Sequence, residues 1–215
     1  EKKSKIEAGL RQHKLVGMYL EAQRTALKSN FIINAGLIRK VRIANDMGWT
    51  CPFTGHNYSL VDILDGRLEL EHIIPRSLRP SDSLDSLVLT WREINDLKGN
   101  LTALAFIEKF EAKDVPGLPG KQITTLDRYQ EFVESLKPDR RPRAPFTVNS
   151  LDKVTPKMVF SKSDARRKLS RVRNLLTKHY NPRESDFNPR DLTLTAWLNR
   201  LAGFAIEQFF SELEE

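Results

Sequence analysis

Hydrophobic and polar positions alternate with a helical period at both ends of the chain and with a strand-like period near its centre. From Lys3 to about Lys28, good helix formers run without turn punctuation and predict a long, charged helix with an imperfect apolar stripe. Leu37, Ile38, Val41, Ala44 and Met47 recur at three- and four-residue spacing, predicting a second helix over 35–47 that Gly48 stops. Then the texture changes. Cys51 to Gly55 (CPFTG) is turn chemistry, and the apolar runs from Tyr58 to Leu64 and from Leu68 to Ile74 predict strands flanking Asp65-Gly66. A loop rich in Ser, Asp and Pro follows over 75–86, then a brief strand over 87–90 and a short helix over 91–97.

Downstream, the loops EAKDVPGLPG from Glu111 and KPDRRPRAPFT from Lys137 bracket a helix whose face is Leu126, Tyr129, Phe132, Val133 and Leu136. Ser163 is placed to cap a basic helix reaching His179, with Leu169, Val172, Leu175 and Leu176 inward. A last helix from near Pro189 carries the stripe Leu194, Trp197, Leu198, Leu201, Phe204, Ala205 and Phe209, which needs a partner surface.

Composition narrows the class. With 215 residues, 40% of them hydrophobic, the chain is long enough to bury a core. A net charge of +7 favours a polyanionic partner, since Lys and Arg release counterions on binding phosphate backbones. Cys51 is the only cysteine, which excludes an intrachain disulfide and a multi-thiolate zinc site; no structural zinc is expected, and Cys51 is read as a small core residue. No apolar run approaches the ~20 residues that span a bilayer, and EKKSKIEAGL lacks a signal-peptide core. The expected setting is a reducing, intracellular compartment with no membrane partner. The chain opens without methionine inside a helical run, so a segment of a larger protein is expected.

The chemistry gathers in LELEHIIPRS, which holds Glu69, Glu71 and His72, and in NDLKGN, which holds Asn95, Lys98 and Asn100. Imidazole is mostly neutral at cellular pH and can take a proton from water. Carboxylate and amide oxygens are hard donors of the kind that bind Mg²⁺ while leaving positions for water and phosphate. Strict alternation would put Glu71 and His72 on opposite strand faces, so a shared site requires the strand to end, twist or bulge there, and Pro75 makes an ending natural. Taken singly, each residue also has a bland reading: a packed or strand-end histidine, a solvated carboxylate, a turn asparagine.

CPFTG, LELEHIIPRS, DSLDSLVLT and REINDLKGNLTA together resemble the HNH nuclease domain of the RNA-guided DNA endonucleases of type II CRISPR systems, the Cas-nine family. The resemblance implies an α+β, mostly helical fold with a ββα-metal (HNH, or His-Me finger) core at about 66–100 and additional helices on both sides. It implies cleavage of the target DNA strand paired with guide RNA. By the match, His72 is the general base, Glu71 and Asn95 are the metal ligands, Glu69 is a supporting acid, and Lys98 is a catalytic basic residue near the scissile phosphate. The implied cofactor is Mg²⁺, with Mn²⁺ as a substitute. Two positions depart from the family pattern: Glu71 stands where Asp is usual, and Ser86 where Asn is frequent.

The same resemblance implies a connector over 1–48, the nuclease domain over 49–180, and over 181–215 a linker helix toward a RuvC-like domain. The partners are then the guide RNA–DNA heteroduplex and the remainder of a larger effector, including its RuvC-like domain and guide-RNA lobe. Arg140, Arg141, Arg143, Arg166, Arg167, Lys168 and Arg171 form the densest basic region, read either as a solvated helix face or as phosphate contacts. Two other functions fit the residues: an HNH endonuclease, stand-alone or transposon-associated, that uses no guide, and a nucleic-acid-binding module without catalysis. His13, His56 and His179 are expected to be surface or packing residues.

Overall fold

A computed structural model describes residues 2–138 and 162–181, with side chains over 13–138 and 165–181. The elements run α1 (Lys2–Ala26), α2 (Ala35–Asp46), α3 (Leu60–Leu64), β1 (Leu68–His72), a 3₁₀ turn (Leu84–Ser86), β2 (Leu87–Trp91), α4 (Arg92–Lys98), α5 (Ala103–Phe110), α6 (Leu126–Ser135) and α7 (Lys162–Leu175). The fold is α+β. Among the described residues the sheet has two strands, β1 antiparallel to β2, with Glu71 opposite Val88 and His72 opposite Leu87.

β2 is buried along its whole length, with α2 and α4 both packed against it. A strand covered on both faces reads as a continuous apolar run, and LVLTW does. β1 is covered less completely: Leu68 and Glu71 are buried and the other three residues partly so, and Glu69 and Glu71 share the face toward α4. Asn34 caps α2 by accepting from the Leu37 amide at 2.9 Å. Trp91 opens α4, and Gly99, at φ +50, closes it immediately after Lys98.

The first predicted strand is a helix. Over 58–64, Ser59 and Asp62 form a reciprocal capping box, the Ser59 side chain taking the Asp62 amide and the Asp62 carboxylate taking the Ser59 amide, so this stretch folds as α3. α5 has no counterpart among the predicted elements; Thr102 starts it by accepting from the Ala105 amide. The basic helix begins at Lys162, so Ser163 lies inside its first turn, and it ends at Leu175 rather than reaching His179. Val172 and Leu175 are buried as expected, but Leu169 is 46% exposed.

One cluster of buried side chains joins α1 and α2 (Val16, Leu20, Ile38, Val41, Ala44) to the strands (Leu68, Leu87, Leu89) and to Phe106, Tyr129 and Leu175. Gly48 therefore marks a turn, φ +62, rather than a seam between separate cores. Arg140, Arg141, Arg143 and the helix expected from Pro189 lie outside the described residues. No described helix is long and apolar enough to cross a membrane.

Candidate active site

β1 and α4 face each other through two polar rungs. Asn95 Nδ2 donates to Glu69 Oε2 at 3.0 Å, and Arg92 Nε donates to Glu69 Oε1 at 2.7 Å. One helical turn later, Lys98 Nζ meets Glu71 Oε1 at 2.6 Å. The spacings explain the ladder: residues two apart on a strand and three apart on a helix each share a face. The two hydrogen bonds from Asn95 and Arg92 hold the Glu69 carboxyl below its usual range. Burial pushes the Lys98 ammonium down, and Glu71 only partly restores it.

Lys98 is 1% exposed, so its expected place beside a scissile phosphate is not what this structure shows. The physical reason is Glu71, a carboxylate shielded from water that needs a compensating charge. The sequence also paired Asn95 with Glu71, yet the amide touches Glu69, which was expected only in support.

His72 is on the other side of the strand, as alternation demands, and β1 ends with it. Its Nε2 lies 3.0 Å from Asp82 Oδ1 in the loop between the strands. Backbone bonds fix the next residue on both sides: the Ile73 amide donates to Ser86 O at 2.9 Å, and the Ala103 amide to Ile73 O at 2.9 Å. The structure thus brings Glu69, Glu71, Asn95 and Lys98 into one ladder and sets His72 on the adjoining strand end. Asp82 escaped the sequence reading; its only signal was an acid flanked by serines ten residues after the histidine.

Residues 51–104 match the family model described as HNH endonuclease. Over 77 residues the chain is 30% identical to CRISPR-associated endonuclease Cas9 1 of Streptococcus thermophilus, an alignment covering 35% of this chain and 7% of that protein. Residues 51–104 are thus similar to HNH endonucleases, and the aligned stretch is similar to part of a Cas9 protein. In fold, the chain resembles the crystal structure of Streptococcus thermophilus Cas9 in complex with the AGAA PAM, with a TM-score of 0.56 at 19% identity over 98% of this chain and 17% of that one. The complex of the same protein with the GGAA PAM gives a TM-score of 0.56 at 19% identity over 98% and 18%. The chain thus spans only a small part of the length of these relatives.

HNH nucleases generally use a divalent metal. Among the described residues no three His, Cys, Asp or Glu side chains gather closely enough to hold one by themselves. The donor chemistry of the ladder nonetheless suits a hard cation, because Glu69 and Glu71 carry carboxylate oxygens and Asn95 an amide oxygen, although here Asn95 turns its Nδ2 to Glu69 and Lys98 occupies Glu71.

The basic helix divides. Arg171 is 1% exposed and donates to Asp46 Oδ2 at 2.8 Å and to Leu84 O; Arg167 Nε reaches the same carboxylate at 3.1 Å. Arg171 is therefore turned inward onto Asp46, and Arg167 with it. Arg166 and Arg173 are exposed, and Lys168 is partly so. Cys51 is buried, its sulfur 3.3 Å from Thr90 Oγ1, while His13, His56 and His179 are exposed.

Proposed function

We propose that this chain is the HNH nuclease part of an RNA-guided effector and hydrolyses the DNA strand paired with the guide. The observation that supports it most is the overlap of the HNH match over 51–104 with the β1, β2, α4 unit, which ends one strand on His72 and turns Asn95 toward that same strand. In this reading His72 removes a proton from a water molecule. The water oxygen bonds to phosphorus as the bond to the departing 3′ oxygen breaks. Glu71 and Asn95, with Glu69 in support, would hold Mg²⁺ or Mn²⁺, which supplies charge neutralisation at the phosphoryl and leaving oxygens. Lys98 acts through Glu71, fixing its carboxylate, rather than by touching DNA. Arg166 and Lys168 contact the backbone of the guide RNA–DNA duplex, together with Arg140, Arg141 and Arg143. Residues 1–48 and 181–215 connect the nuclease domain of 49–180 to the rest of the effector, including a RuvC-like domain and a guide-RNA lobe.

The test is His72→Ala in the protein loaded with guide. Cleavage of the paired strand should fall about 10²–10⁴-fold, the usual contribution of a general base, with DNA binding retained. Cleavage at the wild-type rate would remove His72 from the mechanism. Cleavage that needs no guide would instead identify a stand-alone endonuclease.

A further inference from the structure

The loop between the strands offers an acid that the reading above does not use. Asp82 Oδ1 lies 3.0 Å from His72 Nε2. A carboxylate oxygen only accepts, so Nε2 carries the proton of this contact and Nδ1 is left as the lone-pair nitrogen of the ring. Asp82 is itself held in place: Arg76 Nη2 stands 3.6 Å from its Oδ2, and Arg39 donates to its backbone carbonyl.

The loop beneath is tied down along its length. Ser81, Ser83 and Ser86 form a ring of hydroxyl contacts of 2.9, 2.7 and 2.8 Å. From α7, Arg171 donates to Leu84 O, and Asn174 Nδ2 donates to Asp85 O at 2.9 Å. The carboxylate carried by this rigid loop is 55% exposed. An exposed contact of that kind adds little to stability, so folding alone gives no reason for an acid at this position.

We propose that Asp82 is a positioning residue for His72, fixing the imidazole in the Nε2–H tautomer and in the orientation that leaves Nδ1 to receive the proton from water. The role rests on His72 being the base. It is the same device by which a buried or held acid sets the ring of other catalytic histidines: the partner of one nitrogen decides what the other can do.

Two measurements test it in the guide-loaded protein. Asp82→Ala should lower single-turnover cleavage of the paired strand about 10–100-fold, the common effect of removing a histidine's outer partner, with DNA affinity unchanged. Nitrogen NMR of ¹⁵N-histidine-labelled protein, with the His72 signal identified by its absence in His72→Ala, should show Nδ1 unprotonated in the wild type and a mixture of tautomers in Asp82→Ala. Wild-type cleavage and an unchanged His72 signal in Asp82→Ala, alongside a dead His72→Ala, overturn the positioning role alone. Full cleavage by His72→Ala overturns the catalytic reading and the positioning role with it.

Discussion

At the scale of residues, the pair Lys98–Glu71 is the most consequential contact of the domain. Both side chains are almost sealed from water, so each charge is tolerated only because the other is 2.6 Å away. Lys98→Met should therefore destabilise the fold by about 3–5 kcal/mol, the usual cost of stranding a buried charge, and Glu71→Leu added to it should restore most of the loss. Urea denaturation of the wild type and of both variants checks this. Asn95 is different, being half-buried and bonded to a carboxylate that Arg92 also serves. Asn95→Ala should leave stability within about 1 kcal/mol, the net worth of one hydrogen bond, and shift the half-maximal metal concentration for cleavage upward. A metal titration of cleavage reads that shift. The residue types at His72, Glu71 and Asn95 were legible as candidates, whereas their partners were not, since a contact such as Asp82 with His72 depends on how a loop returns.

At the scale of elements, α7 is fastened to α2 and to the interstrand loop by polar bonds. Asp46 lies at the end of α2, buried, between Arg171 and Arg167. Burial alone would push its carboxyl up, but the two guanidiniums outweigh that and hold it below its ordinary value. A carboxyl depressed in the folded state contributes stability that is complete above its unfolded pKa, about 3.9, and is lost as pH falls through the lower folded value. Wild-type stability should thus decline below about pH 4. Asp46→Asn should be less stable at neutral pH by about 3–5 kcal/mol and show a flatter acid limb, measured by denaturation across that pH range. Most helices and both paired strands were legible from periodicity. The stretch 58–64 misled because a short apolar run suits either structure; the capping box of Ser59 and Asp62 decided for helix. The sequence left the basic helix open as a solvated face or as phosphate contacts, because it shows the charges and hides the acid in α2 that two of them meet.

At the scale of the molecule, the +7 net charge still leaves cationic surface after the buried pairs are counted out. Affinity for DNA or for an RNA–DNA duplex should therefore fall steeply with salt, with a logarithmic slope of about 0.9 per phosphate contacted, and filter binding across a salt series gives that number. Arg166→Ala with Lys168→Ala should reduce the slope, while Arg171→Ala should lower stability instead. By itself the sequence determined most helices, the strand–loop–strand–helix order and the candidate residues for hydrolytic chemistry, because side-chain period, turn chemistry and donor type are local properties. Only the tertiary structure decided that Glu69 rather than Glu71 takes the Asn95 amide, that Lys98 and Arg171 are sealed inward, and that Asp82 meets His72. Those outcomes follow from burial and from the pairing of charges distant in the chain, and such pairing is settled only when the elements pack.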